Sequence, residues 1–188
     1  MTASFIFLGY LPKQLVPRPE WLECPNVEFV ASVSECISSA PPDRISRWEH
    51  NHLGLYDTEA LALAIIPEDT STPYTLFAYE ALTIVFHDGH PVDWSPWTNL
   101  DGSPPSFDGK FDDHLGFDIV GFSNSGFFEC SPLSCNGLAK EITVNRFCLV
   151  DDLDRAITIA RDFSRPESRV EPAYAYVVVD VRRRRGTP

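Results

Sequence analysis

Two thiols carry the most suggestive chemistry in this sequence. In Phe127-Phe128-Glu129-Cys130-Ser131-Pro132-Leu133-Ser134-Cys135-Asn136-Gly137, Cys130 and Cys135 flank a Ser-Pro pair that suits a helix start. A helix N-terminus favours thiolate over thiol, so an exposed Cys130 there becomes a nucleophile. Such a nucleophile needs a base and the base an orienting carboxylate, and the three have only to meet in space. His114, with Asp112 or Asp113 beside it, is the partner the sequence supplies. Against this, no cysteine-enzyme signature is present, and an isolated Cys is more often a small buried apolar residue.

Histidines offer a second chemistry. His50 and His52 share a face if their stretch is extended, and His87 and His90 bracket the turn pair Asp88-Gly89. With Cys130 and Cys135 they make enough nitrogen and sulfur donors for zinc. Neither spacing matches a zinc finger or ribbon, and the metalloprotease H-E-x-x-H is missing, so ordinary surface histidines are expected. No Gly-rich phosphate cradle is present either, which disfavours ATP and NAD, and no cofactor is expected. The acid pairs Asp112-Asp113 and Asp151-Asp152 read as a loop and a helix cap.

A third group is aromatic. Trp94, Trp97 and Phe107 lie in a loop of Pro, Gly and Asp running from Pro91 to Asp113. Long loops inside compact domains are often functional, and Trp is a favoured interface anchor. Their size equally suits burial in a small core of the loop's own.

Positioning these groups requires a scaffold, and its elements are partly readable. Ser4 to Tyr10 reads as an apolar strand, Val27 to Val33 as a second, and Pro19 to Glu23 as one helical turn. Pro42 to His50 reads as a short helix. Asp57 or Thr58 caps another, with Leu61, Ala64 and Ile65 as its stripe and Pro67 as its end. Tyr74 to Phe86 alternates as a strand that enters a hairpin at Asp88-Gly89. Phe117 to Val120 and Arg146 to Val150 read as short strands, and Pro132 to Glu141 as a short helix capped by Ser131. Leu153 to Phe163 has the best helical stripe (Leu153, Ala156, Ile157, Ala160, Phe163), and Ala173 to Val181 is the clearest strand. No internal repeat is evident. The order predicts an α+β domain: a mainly antiparallel or mixed sheet with two or three helices packed on it.

The 188 residues suit one domain, residues 1–181, followed by a basic tail, 182–188. A chain this long buries enough surface to fold without metal or disulfide. Asp plus Glu number 27 against 15 Lys plus Arg, a net charge of −12. Four of those cations are the run Arg182 to Arg185; without it 27 anions face 11 cations, or −16. Such a body repels phosphate backbones and anionic lipid, which argues against nucleic-acid and membrane binding and leaves a basic protein as the partner. The five cysteines, Cys24, Cys36, Cys130, Cys135 and Cys148, are odd in number and unlike a secreted scaffold. Met1 to Tyr10 does not resemble a signal peptide, and no apolar run approaches the roughly 20 residues of a membrane span. The expectation is a cytoplasmic, acidic, protein-binding accessory domain of immunity-like or regulatory type. A cysteine-dependent enzyme using Cys130 or Cys135 with His114, or a small zinc-binding protein, stands as the alternative.

Overall fold

A computed structural model describes residues 4–37, 39–41, 49–68, 71–97, 104–105, 107, 111, 113–122, 128–170 and 175–184. In chain order the strands are β1 (Phe5–Gln14), β2 (Val16–Pro17), β3 (Phe29–Val30), β4 (Tyr74–His87), β5 (His90–Asp93), β6 (Asp113–Phe122), β7 (Phe128–Cys130) and β8 (Ala175–Arg183). The helices are α1 (Glu59–Ala64), α2 (Pro132–Cys135) and α3 (Leu153–Phe163), with a 3₁₀ turn at Leu138–Lys140. One sheet runs in the order β1-β4-β8-β6-β7, with β5 paired to β4; β2 and β3 form a separate pair. Every strand pairing is antiparallel, and the fold is α+β as expected. Among the described residues, no helix is long and apolar enough to cross a membrane.

Local chemistry explains the elements that matter most. β8 is central, with both edges paired to β4 and β6, and its two faces enter separate core clusters, Val177, Val179 and Val181 in one and Tyr176 and Val178 in the other, so Ala175 to Val181 is buried throughout. β4 turns into β5 through Asp88 and Gly89, both at positive φ, as a two-residue hairpin turn requires. The carboxylate of Asp152 caps α3 by accepting from the Arg155 N–H at 2.8 Å. That helix buries Ala156, Ile159, Ala160 and Phe163, so its core row is displaced from the predicted one. Ile157 stands half-buried at the margin. In α1 the same displacement buries Ala62 and Ile65 and leaves Leu61 exposed.

Three sequence expectations are corrected. Only Phe29 and Val30 of the predicted strand 27–33 pair as a strand, and 146–150 forms a turn with Cys148 at φ 63°. Of the short helix expected over Pro42 to His50, residues 42–48 lie outside the described residues. Arg182 and Arg183 are the last residues of β8 and belong to no tail. Arg182 pairs with Glu80 and Asp180, Arg183 with Asp113, and Arg184 with Glu59.

The chain also contains an internal repeat that the sequence reading misses. β1 and β6 each break register immediately before a glycine, Gly9 (φ 138°) and Gly116 (φ 135°). Each glycine meets a later turn so closely that a Cβ would lie 2.9 Å from a leucine Cβ, Leu55 or Leu149. One asparagine organises each turn. Asn51 donates to Leu8 O and Asp57 Oδ1, both at 3.0 Å, and accepts from Leu53 N and Leu55 N. Asn145 donates to Leu115 O and Asp151 Oδ1, both at 2.7 Å, and accepts from Phe147 N and Leu149 N. Each turn then bridges back to its strand, Tyr10 with Tyr56 and Phe117 with Val150. A capped helix follows each, and a long strand completes each half. β4 pairs with β8 at the centre, β1 flanks β4 and β6 flanks β8, so an approximate two-fold axis passes between β4 and β8. Glu80 and Arg182, which occupy matching registers of the two halves, form an ion pair at 3.1 Å across it.

Candidate functional site

The crossover connections of the two halves meet, and three cysteines meet with them. The first connection carries Ser32, Val33, Ser34 and Cys36; the second carries Cys130, Ser131 and Cys135. Lys13, buried at 2% exposure near the end of β1, donates its ammonium to three successive carbonyls, Ser32 O at 2.6 Å, Val33 O at 3.1 Å and Ser34 O at 2.9 Å. The opposite side of the same segment is held from β6. Asp118 is wholly buried, and its Oδ2 accepts the Val33 N–H at 2.7 Å and the Ser131 hydroxyl at 2.6 Å. Ser131 Oγ in turn accepts the Ser34 N–H at 3.2 Å. A lysine and an aspartate inside apolar strands are costly to bury, and here each satisfies its charge on backbone and hydroxyl groups of the one segment.

That clamp seats Ser34 against Cys135, with Oγ and Sγ 3.1 Å apart. Cys135 is half-buried and also hydrogen-bonds to the thiols of Cys130 and Cys36. Together these contacts hold the Cys135 thiol down at about 5: the hydrogen bond from Cys130 is the largest influence, burial opposes it, and Ser34 adds to it. The reverse holds at Cys36, which is pushed up by burial and by its hydrogen bond to Cys135. Cys130 Sγ also lies 3.1 Å from Asn136 Oδ1, a second acceptor that competes with Cys135 for its single S–H. One sulfur thus carries the charge and its two neighbours serve as donors. Cys148, in the core, is pushed up to about 12 by burial and is inert.

The predicted site residues distribute as follows. Cys130 and Cys135 come together, but His114 does not join them. Cys130 pairs with Gly121, whereas His114 lies seven residues earlier on β6, roughly 20 Å away at the rise of a strand. His114 instead pairs with Asp180, Nδ1 to Oδ1 at 2.8 Å. Asp112 lies outside the described residues. The helix dipole has no part either, because α2 is a single turn and Cys135 is its last residue. Hydrogen bonding takes its place.

The histidine pairs remain apart from the thiols. His87 and His90 face each other across the β4–β5 hairpin, and His50 Nδ1 contacts the Asn51 carbonyl at 2.9 Å. His52 packs edge-on against Trp97 at 5.1 Å. Among the described residues, no group of three or more His, Cys, Asp or Glu side chains is arranged to hold a metal ion. The three aromatics of the predicted loop pack inward. Trp94 lies 5.4 Å from Phe122 and Phe107 lies 5.3 Å from Phe7, and with Trp97 they cover the core while half-buried.

Sequence reasoning missed Lys13, Ser34, Cys36, Asp118 and Ser131. A signal for one of them was present. Glu35-Cys36 and Glu129-Cys130 are the same dipeptide, and each cysteine precedes its turn asparagine, Asn51 or Asn145, by fifteen residues. Cys36 and Cys130 hold the same place in the two halves and reach Cys135 from both. In comparisons with known proteins, no family model, no curated protein and no solved structure matches the chain.

Proposed function

We propose that this protein acts through Cys135, a thiolate held ready by two neighbouring thiols rather than by a histidine base. The observation that carries this reading is the convergence of Cys36, Cys130 and Ser34 on one half-buried sulfur, fixed in place by the Lys13 and Asp118 clamps. A nucleophilic thiol has to be ionised and reachable; the hydrogen bonds to Cys135 favour its ionised form, and the sulfur's residue is only half-buried.

Alkylation by iodoacetamide, followed at each cysteine by peptide mass spectrometry as a function of pH, tests it. Near pH 5.5 an ordinary thiol is ionised to roughly one part in a thousand, whereas one titrating near 5 is mostly thiolate. Its lower basicity gives back roughly thirty-fold in intrinsic nucleophilicity, so Cys135 should react about ten- to thirty-fold faster than a free thiol at that pH. Near neutrality the two effects roughly cancel, so the acid side is where the difference shows. A rate that rises only toward pH 8 to 9, as for a free thiol, sinks the reading.

A second reading, an acidic domain that binds a basic protein, is favoured by a separate observation. Among the described residues, several cations are committed to the chain's own groups: Lys13 to carbonyls, Arg146 to Glu28, and Arg182 to Arg184 to carboxylates of the sheet and α1. The surplus of carboxylates is left facing outward.

A further inference from the structure

We infer that the chemistry at Cys135 is thiol–disulfide exchange, with an external disulfide as substrate and Cys130 as the resolving thiol. This rests on the reading of Cys135 as the working sulfur and goes beyond it by naming the substrate class and the second residue. The placement of three thiols decides between alternatives. Cys24 and Cys148 are buried and take no part. Cys36 is exposed, in a turn of the other half of the molecule, where the Lys13 clamp fixes the preceding residues. Cys130 and Cys135 belong to one continuous segment, β7 running into α2, with only four residues between them. Bringing these two sulfurs to bonding distance moves one local segment and not one half of the molecule against the other, which favours Cys130 over Cys36 as the resolving thiol.

The step balances as two exchanges. The Cys135 thiolate attacks one sulfur of R–S–S–R′, forming Cys135–S–S–R and releasing R′–S⁻. The Cys130 thiol gives its proton to that leaving thiolate, or to water, and attacks Cys135 Sγ. This forms the Cys130–Cys135 disulfide and releases R–S⁻. The substrate disulfide is reduced to two thiols and the cysteine pair is oxidised. An external dithiol returns it by the reverse sequence.

Equilibrating the reduced chain with oxidised glutathione, then mapping disulfides without reduction, tests the inference. The wild type should give the Cys130–Cys135 bond as its dominant product. Cys130→Ser should accumulate glutathione on Cys135 at least ten-fold over wild type. A dominant Cys36–Cys135 bond overturns the assignment of the resolving thiol, as does unchanged bond formation in Cys130→Ser. If Cys135 alkylates rapidly on the acid side yet forms no disulfide with either neighbour, exchange is wrong while the reactive thiolate stands. Slow alkylation removes both. The wild-type map needs no substitution, so the outcome does not depend on a variant folding.

Discussion

Asp118 is the residue whose environment is most at odds with its chemistry. Burial pushes its carboxyl up to about 6, against the hydrogen bonds from Ser131 and Val33 that favour the ionised form. A carboxyl that binds its proton more tightly when folded stabilises the fold at low pH. That contribution is complete below the unfolded value near 4 and is lost as pH rises through about 6. The stability difference between wild type and Asp118→Asn, measured by urea unfolding, should therefore move against the wild type by about 2–3 kcal/mol between about pH 4 and about pH 6. It should be flat above about pH 7. A difference that stays constant across this window, or grows in the wild type's favour, would show that Asp118 is not held in the environment described. The same residue explains why the site resists detection from sequence. Lys13 and Asp118 sit inside apolar strands, where single polar letters look incidental. Their purpose appears only when Ser34, 101 residues from Cys135, is brought against it.

At the level of elements, the two asparagine turns are the joints of the molecule. The Asn145 amide makes four hydrogen bonds, two donated and two accepted, that replace the ladder a strand would have supplied over 146–150. Phe147 and Leu149 alternate as in a strand, which is why that stretch reads as one. The competing side-chain bonds and the positive φ of Cys148 decide otherwise. Asn145→Ala should cost about 2–4 kcal/mol in denaturant unfolding, and Asn51→Ala a similar amount, because both leave backbone groups unpaired. Asn145→Asp keeps the shape and both acceptor contacts but removes the donors to Leu115 O and Asp151, so it should be no better tolerated. Wild-type stability in Asn145→Asp would mean the donated bonds do not hold the turn. The elements that were legible, α3 and the β4–β5 hairpin, are those fixed by neighbours in sequence: a capping aspartate, a periodic stripe, and a two-residue turn with its glycine. The repeat was not legible because its halves share little beyond Leu-Gly-aromatic and Asn-x-(Leu or Phe)-x-Leu-x-Asp. These are positions dictated by backbone geometry, while the core between them varies freely.

The whole molecule adds a field to this geometry. Its two-fold arrangement puts Arg182 against Glu80 at the centre of the sheet, and the adjoining Arg183 and Arg184 are spent on Asp113 and Glu59. Arg182, Arg183 and Arg184 are therefore taken up by the chain's own carboxylates, and the chain as a whole carries a net charge of −12. A surface of one sign accelerates encounter with the opposite sign and does so less as salt screens it. A protein recovered with this chain in stoichiometric amount from its native host should then be basic. Its association rate should fall about ten-fold or more between about 50 mM and about 500 mM salt, measured by surface plasmon resonance. Ion pairs internal to the sheet should not matter to that rate, so Arg183→Gln should leave the salt dependence in place. Recovery of no stoichiometric partner at either salt concentration would remove the binding role. A partner whose association rate ignores salt would show instead that acidity serves only solubility, leaving the thiol cluster as the part of the molecule that acts.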